Sequence, residues 1–81
     1  MDKTYTIRQL QWQSIGNKHS AKVFDMKYTL WHMDDLWRIQ LSRGRDVVFS
    51  NLATSLEDGK KRAQLDFNQR VKNYLLEVEN G

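Results

Sequence analysis

The sequence contains no cysteine, so the fold has neither a disulfide nor a thiolate metal site to stabilise it. It also contains no proline, no low-complexity tract and no internal repeat, and no linker divides it. No stretch approaches the roughly 18 consecutive apolar residues that a membrane-spanning helix requires. The first ten residues have no apolar run, so no signal peptide is visible and we expect a cytoplasmic protein.

Residues 1–81 are expected to form one domain, and a domain of this size buries only a small core. Without disulfides, we expect it to gain stability by binding a partner or by forming a homodimer. A hydrophobic fraction of 40% and three tryptophans predict a globular fold. The net charge of +3 permits contact with nucleic acid and argues against a DNA mimic, which needs a dense acidic surface.

The last third of the sequence predicts one amphipathic helix over about residues 55–79. Thr54 and Glu57 have the spacing of a capping box, in which two side chains accept backbone N–H groups at the helix start. Apolar or small residues then recur along one helical face at Leu56, Gly59, Ala63, Phe67, Val71, Tyr74 and Val78. Gly59 costs a helix up to about 1 kcal/mol relative to alanine, which predicts a close approach of helix to strand.

The sequence before the helix predicts short strands joined by turns. The β-forming or alternating segments are residues 4–15, 21–32, 36–42 and 46–52, and the turn at 14–18 ends the first of them. Short turns between consecutive strands predict an antiparallel meander. We therefore predict an α+β fold, with an antiparallel meander of three or four strands and the C-terminal helix packed on one face.

Alternation within residues 21–32 separates two faces of the predicted sheet. Phe24, Tyr28 and Leu30 share the apolar face, and we expect Phe67 and Tyr74 of the helix to pack against Phe24, Tyr28 and Trp37. Trp31 points the other way, on the side of Asp25, Lys27 and Thr29. An exposed tryptophan on a polar strand face is a common anchor of protein interfaces.

No recognisable set of catalytic residues is present. His19 is expected in a turn and His32 at a strand end, and neither has a partner at metal-ligand spacing. Asp34 and Asp35 have the composition of a turn, and no phosphate-binding loop or nucleophile motif occurs. We therefore predict a protein without enzymatic activity, cofactor or bound metal.

Two surfaces are candidate binding sites. Trp31 is the first, and Leu65 with Leu76 is the second, because both leucines lie about 180° around the helix from the apolar stripe. These three residues are the predicted contacts to a partner protein.

The alternative is a nucleic-acid-binding module that uses Lys60, Lys61, Arg43 and Arg45. A sheet followed by a helix with Lys-Lys-x-Ala near its start loosely resembles the double-stranded-RNA-binding domain, although that family's first helix has no counterpart here. Intrahelical ion pairs such as Asp58–Arg62 and Asp66–Arg70 explain part of the charge without any ligand.

Leu10-Gln11-Trp12 and the segment TSLEDGKKRAQLDF at residues 54–67 resemble small uncharacterised proteins encoded by tailed phages and prophages. Many of those have a Leu-x-Trp opening and a closing helix similar to Thr-Leu-Glu-Glu-Ala-Lys-x-x-Ala-Gln-x-Asp-Phe, from which Gly59 and Lys60 depart. The resemblance implies a phage accessory protein that binds a host or phage protein, with proteins of host defence systems among the targets. It points to no particular activity, because that family has no agreed one.

Overall fold

A computed structural model describes the backbone of residues 7–80 and the side chains of residues 7–74. The elements are β1 (Gln13–Ile15), β2 (Lys18–Val23), β3 (Met26–Met33), β4 (Leu36–Arg43), β5 (Asp46–Ala53) and α1 (Leu56–Asn80). Consecutive strands are antiparallel neighbours in one sheet. The predicted α+β meander with a C-terminal helix is confirmed, with five strands in place of three or four.

All four hairpins have two-residue loops whose first residue has a positive φ. These first residues are Gly16, Phe24, Asp34 and Gly44. Positive φ matches the twist of a tight hairpin, and glycine adopts it at little cost. Phe24 has a positive φ although it is not a glycine. The turn at Phe24–Asp25 therefore has no glycine by which the sequence could have predicted it. The prediction of one strand over 21–32 is therefore wrong, since the chain reverses after Val23.

The predicted turn over residues 14–18 is also wrong in extent. Only Gly16 and Asn17 form the loop, while Ile15 and Lys18 pair as the last and first residues of β1 and β2. His19 therefore lies within β2, where register places it opposite Leu30, and not in a turn. The additional strand arises from the reversal at Phe24–Asp25, which divides the predicted strand over 21–32 between β2 and β3.

The helix cap lies one residue later than the predicted Thr54–Glu57 box. The Asp58 N–H donates to Ser55 Oγ at 3.0 Å, while Asp58 Oδ2 accepts from the Thr54 N–H at 3.1 Å. Arg62 Nε donates to the same Asp58 oxygen at 3.0 Å, so the predicted Asp58–Arg62 pair is confirmed. The Arg62 guanidinium and the Thr54 N–H hold the pKa of Asp58 below its usual range.

One side of the sheet is covered by α1 together with the segment that precedes β1. The buried core consists of Leu10, Ala21, Tyr28, Leu30, Ile39, Leu41, Ala53, Ala63 and Phe67. The Leu10 N–H donates to Gln64 Oε1 at 2.8 Å, and Gln64 Nε2 donates to the Arg8 carbonyl at 3.2 Å. Residues 7–12 therefore lie beside the helix and complete the layer over this face.

Phe67 is buried as predicted, but two of its expected companions are not. Phe24 is 87% exposed in its turn, although its ring centroid lies 6.4 Å from that of Phe67, and Tyr74 is 65% exposed. A 25-residue helix is about 37 Å long, whereas an eight-residue strand spans about 27 Å. The end of the helix therefore projects past the sheet and takes Tyr74 with it. Over the described residues, α1 is too polar to cross a membrane.

Gly59 lies where the helix approaches the sheet, as its position in the stripe predicted. A Cβ at this position would lie 2.7 Å from Leu30 Cδ2, and Leu30 is fully buried. Gly59→Ala is expected to lower the free energy of unfolding by up to about 2 kcal/mol, because overpacking costs about 1–3 kcal/mol and the gain in helix propensity offsets up to about 1 kcal/mol of that cost. Urea unfolding followed by tryptophan fluorescence measures the change.

The control for this prediction is the same substitution in a Leu30→Val background, which removes the atom that the new Cβ meets. There Gly59→Ala should cost less than it does alone, as a double-mutant cycle reports. A Gly59→Ala protein more stable than the wild type would contradict the close approach.

Candidate functional site

The second side of the sheet is uncovered in the part of the chain that the structure describes. Strand alternation and register place sixteen residues on it, and we call this surface the open face: Gln13, Ile15, Lys18, Ser20, Lys22, Lys27, Thr29, Trp31, Met33, Leu36, Arg38, Gln40, Ser42, Val47, Ser50 and Leu52. The core, the helix and residues 7–12 all lie on the opposite side.

Trp31 lies near the middle of the open face, on the side that alternation predicted. Register places it directly between Lys18 of β2 and Arg38 of β4. It is partly buried, and with Lys18, Lys27, Thr29, Gln40 and Ser42 it lines a shallow concavity of about 430 Å³ that is open to solvent. The tryptophan is thus held between two cations, with polar side chains along the same surface.

The charge of the open face has one sign. Its ionisable residues are Lys18, Lys22, Lys27 and Arg38, and all four are exposed. None of the sixteen residues is acidic. Lys22 and Lys27 are direct cross-strand partners, and like charges in that position destabilise a sheet. Water only screens the repulsion between Lys22 and Lys27. An anion bound across the open face would neutralise it.

Exposed apolar side chains are also concentrated on this surface. Five of the nine large apolar side chains described as exposed belong to it, namely Ile15, Met33, Leu36, Val47 and Leu52. Register places Leu52 of β5 beside Arg38 and Ile15 of β1 beside Lys18. One cross-strand row on the open face therefore runs Ile15–Lys18–Trp31–Arg38–Leu52. The central row of the open face is therefore apolar at both ends and cationic around the tryptophan.

The other predicted protein contacts lie on the helix, away from the open face. Leu65 is 59% exposed on α1. Leu76 lies outside the residues whose side chains the structure describes. Their role in binding a partner stays a prediction.

The four basic residues of the predicted nucleic-acid site do not form one surface. Lys60 and Lys61 follow the start of α1, whereas Arg43 and Arg45 lie at the β4–β5 turn, at the other end of β5. An eight-residue strand separates these ends by roughly 24 Å. Arg43 also has a partner, since its Nε lies 3.1 Å from Asp25 Oδ2. Their contact with phosphate stays a prediction.

The described side chains contain one serine–histidine contact. Ser14 Oγ and His19 Nδ1 lie 2.6 Å apart because the two residues are cross-strand partners in β1 and β2. No carboxylate among the described residues hydrogen-bonds to His19, so the pair has no third group to orient it. His19 and His32 instead pack near the Trp37 ring, at centroid distances of 5.7 and 4.9 Å.

No group of three or more potential metal-ligating side chains was found in the described part of the chain.

The sequence pattern predicted the exposed side of Trp31 but not the cations that share its face. The sequence pattern could have identified these cations. Lys27 and Arg38 alternate with the apolar residues of their strands, and no acidic residue follows Asp25 at the alternating polar positions of those strands. No protein-family model matches the chain, and no curated protein or solved structure matches it significantly.

Proposed function

We propose that this is a non-enzymatic binding protein that covers an anionic surface of a partner macromolecule with its open face. The observation that carries the proposal is the composition of that face, which has four exposed cations, two of them directly beside Trp31, and no carboxylate. Aromatic and arginine side chains contribute much of the binding energy at protein interfaces. The protein would act by occlusion, because a surface that it covers is no longer accessible to other molecules.

A host or phage protein, including a protein of a host defence system, is one candidate partner. The exposed apolar residues Ile15 and Leu52, at the ends of the row that contains Trp31, favour it. The resemblance to proteins of tailed phages and prophages also supports a cytoplasmic accessory protein of this kind.

A photoreactive amino acid placed at two matched positions tests which surface binds. Gln40 lies on the open face inside the concavity, and Gln69 is an exposed glutamine on the helix. We expect the probe at position 40 to cross-link a macromolecule and the probe at position 69 to cross-link none. The cross-linked partner, once purified, should then bind the unmodified protein directly. Introducing Arg38→Glu should abolish the cross-link, because it places a negative charge beside Trp31. Cross-links from position 69 alone would contradict the proposal.

A further inference from the structure

We infer that the anionic partner is a single-stranded nucleic acid, whose backbone follows the cations of the open face and one of whose bases stacks on Trp31. This inference rests on the proposed function, because it assigns the ligand of the same surface. It differs from the nucleic-acid site that the sequence predicted, which used Arg43, Arg45, Lys60 and Lys61.

The arrangement of cations supports a polyanion that is extended in one direction. Lys18 and Arg38 are the cross-strand neighbours of Trp31, each one strand spacing of about 4.8 Å away along the sheet. Lys27 is four residues before Trp31 on β3, or roughly 13 Å along the strand, and Lys22 lies opposite Lys27. The four charges therefore form two groups on either side of the concavity, which a chain of phosphates can contact in succession.

None of these four cations has an acidic partner within ion-pair distance among the described residues. The described ion pairs instead use Arg43, Arg62 and Arg70, all on the other side of the sheet or on the helix. All four cations of the open face are therefore free of ion pairs within the part of the chain that the structure describes. Phosphate binding by such cations releases condensed counterions and supplies affinity that does not depend on sequence.

The tryptophan and its polar neighbours favour a single strand over a duplex. A single strand offers unstacked base faces, and stacking on an aromatic side chain stabilises each such contact whatever the base. A duplex keeps its base faces stacked on each other, which would leave Trp31 without a partner. Thr29, Gln40 and Ser42 line the same concavity and can donate hydrogen bonds to base edges or phosphates.

The test is the affinity of a fluorescently labelled oligothymidylate, measured by anisotropy over a series of salt concentrations. Trp31→Ala is expected to weaken binding by roughly 5- to 150-fold, whereas Trp31→Phe keeps an aromatic face and should retain most of the affinity. The double variant Lys27→Gln/Arg38→Gln should reduce the slope of log affinity against log salt by about 1.4, because each lost phosphate contact of a single strand contributes about 0.7.

The matched control is Arg8→Gln/Lys72→Gln, which removes the same charge from exposed positions that lie neither on the open face nor in the predicted Lys60–Lys61–Arg43–Arg45 site. It should leave the salt slope unchanged. Thermal unfolding of each variant separates loss of binding from loss of fold, and the Trp31→Phe protein reports on stacking even if Trp31→Ala is unstable. An Arg8→Gln/Lys72→Gln protein that loses as much affinity as the open-face variant would overturn the inference.

Polyglutamate is the probe that separates this inference from the proposed function. It carries negative charge without bases, as an acidic protein segment does. Binding of polyglutamate that depends on Lys27 and Arg38, together with no binding of oligothymidylate at low salt, would overturn the nucleic-acid inference and leave the proposed function standing. Binding of neither probe would contradict both. Tighter binding of a DNA duplex than of oligothymidylate would also overturn the single-strand assignment.

Discussion

Replacing Phe67 with alanine is expected to lower the free energy of unfolding by about 3–5 kcal/mol. Phe67 is 7% exposed and belongs to the core cluster between helix and sheet. Its removal subtracts one of the few large side chains by which the helix is held. A domain of 81 residues is stable by roughly 4–12 kcal/mol in total, so the variant should lose much of its stability. Urea unfolding followed by tryptophan fluorescence gives the change in midpoint.

Tyr74→Ala is the matched control, because Tyr74 is an aromatic residue of the same predicted stripe but lies where the helix projects past the sheet. We expect it to change the free energy of unfolding by less than about 0.5 kcal/mol. A loss comparable to that of Phe67→Ala would show that Tyr74 packs on the sheet after all. A Phe67→Ala protein that unfolds at the wild-type urea concentration would show that the helix does not pack there.

Replacing Asp66 with alanine is expected to lower the free energy of unfolding by about 1.5–3 kcal/mol. The Tyr28 hydroxyl donates to Asp66 Oδ2 at 2.6 Å, and Arg70 Nε donates to the same oxygen at 2.7 Å. Tyr28 is fully buried in β3, so this carboxylate joins the sheet to the helix. Alanine would leave a buried hydroxyl without an acceptor. Chemical unfolding of Asp66→Ala beside Asp66→Asn, which keeps an acceptor oxygen, separates that loss from the loss of charge.

The same hydrogen bond predicts how stability changes at high pH. Burial, followed by the hydrogen bond to Asp66, raises the pKa of Tyr28 above its ordinary value. The unfolded chain therefore releases the tyrosine proton first, so the contribution of Tyr28 is complete below about pH 10 and decreases as the pH rises further. We expect the unfolding free energy of the wild type to fall above about pH 10 by up to about 1.4 kcal/mol per unit from this group.

Tyr28→Phe is the control for the pH dependence, since it removes the titrating group while keeping the ring in the core. At neutral pH it should cost about 1 kcal/mol for the lost hydrogen bond. Above pH 10 its stability should fall less steeply than that of the wild type, as urea titrations at several pH values measure. Parallel pH profiles for the two proteins would contradict the role of Tyr28.

Much of the architecture could be predicted from local patterns. The helix was expected over about residues 55–79 and begins and ends one residue later, and the last two strands occupy 36–43 and 46–53 in place of 36–42 and 46–52. These segments have strong periodicity and a glycine turn between them. The turn at Phe24–Asp25 was missed because a phenylalanine with positive φ has no local signature.

The candidate site was only partly predictable for a related reason. Alternation along β3 shows that Trp31 points away from Tyr28, and the structure confirms it. Alternation does not show which residues of other strands lie beside Trp31, because that depends on register. Lys18 became its neighbour only through the two-residue loop at Phe24–Asp25, since a continuous strand over 21–32 would leave Lys18 in a turn.

The sequence by itself determined the fold class, the helix with its buried face, and the side of the sheet to which Trp31 points, because each follows from periodicity within one segment. Only the tertiary structure decided that Tyr74 is exposed, since that depends on the length of the helix relative to the sheet. It alone also placed four cations and no acidic residue on the same face as Trp31, because hairpin registers bring together residues from three separate strands. A charge pattern spread over separate strands becomes one surface only when the strands are paired.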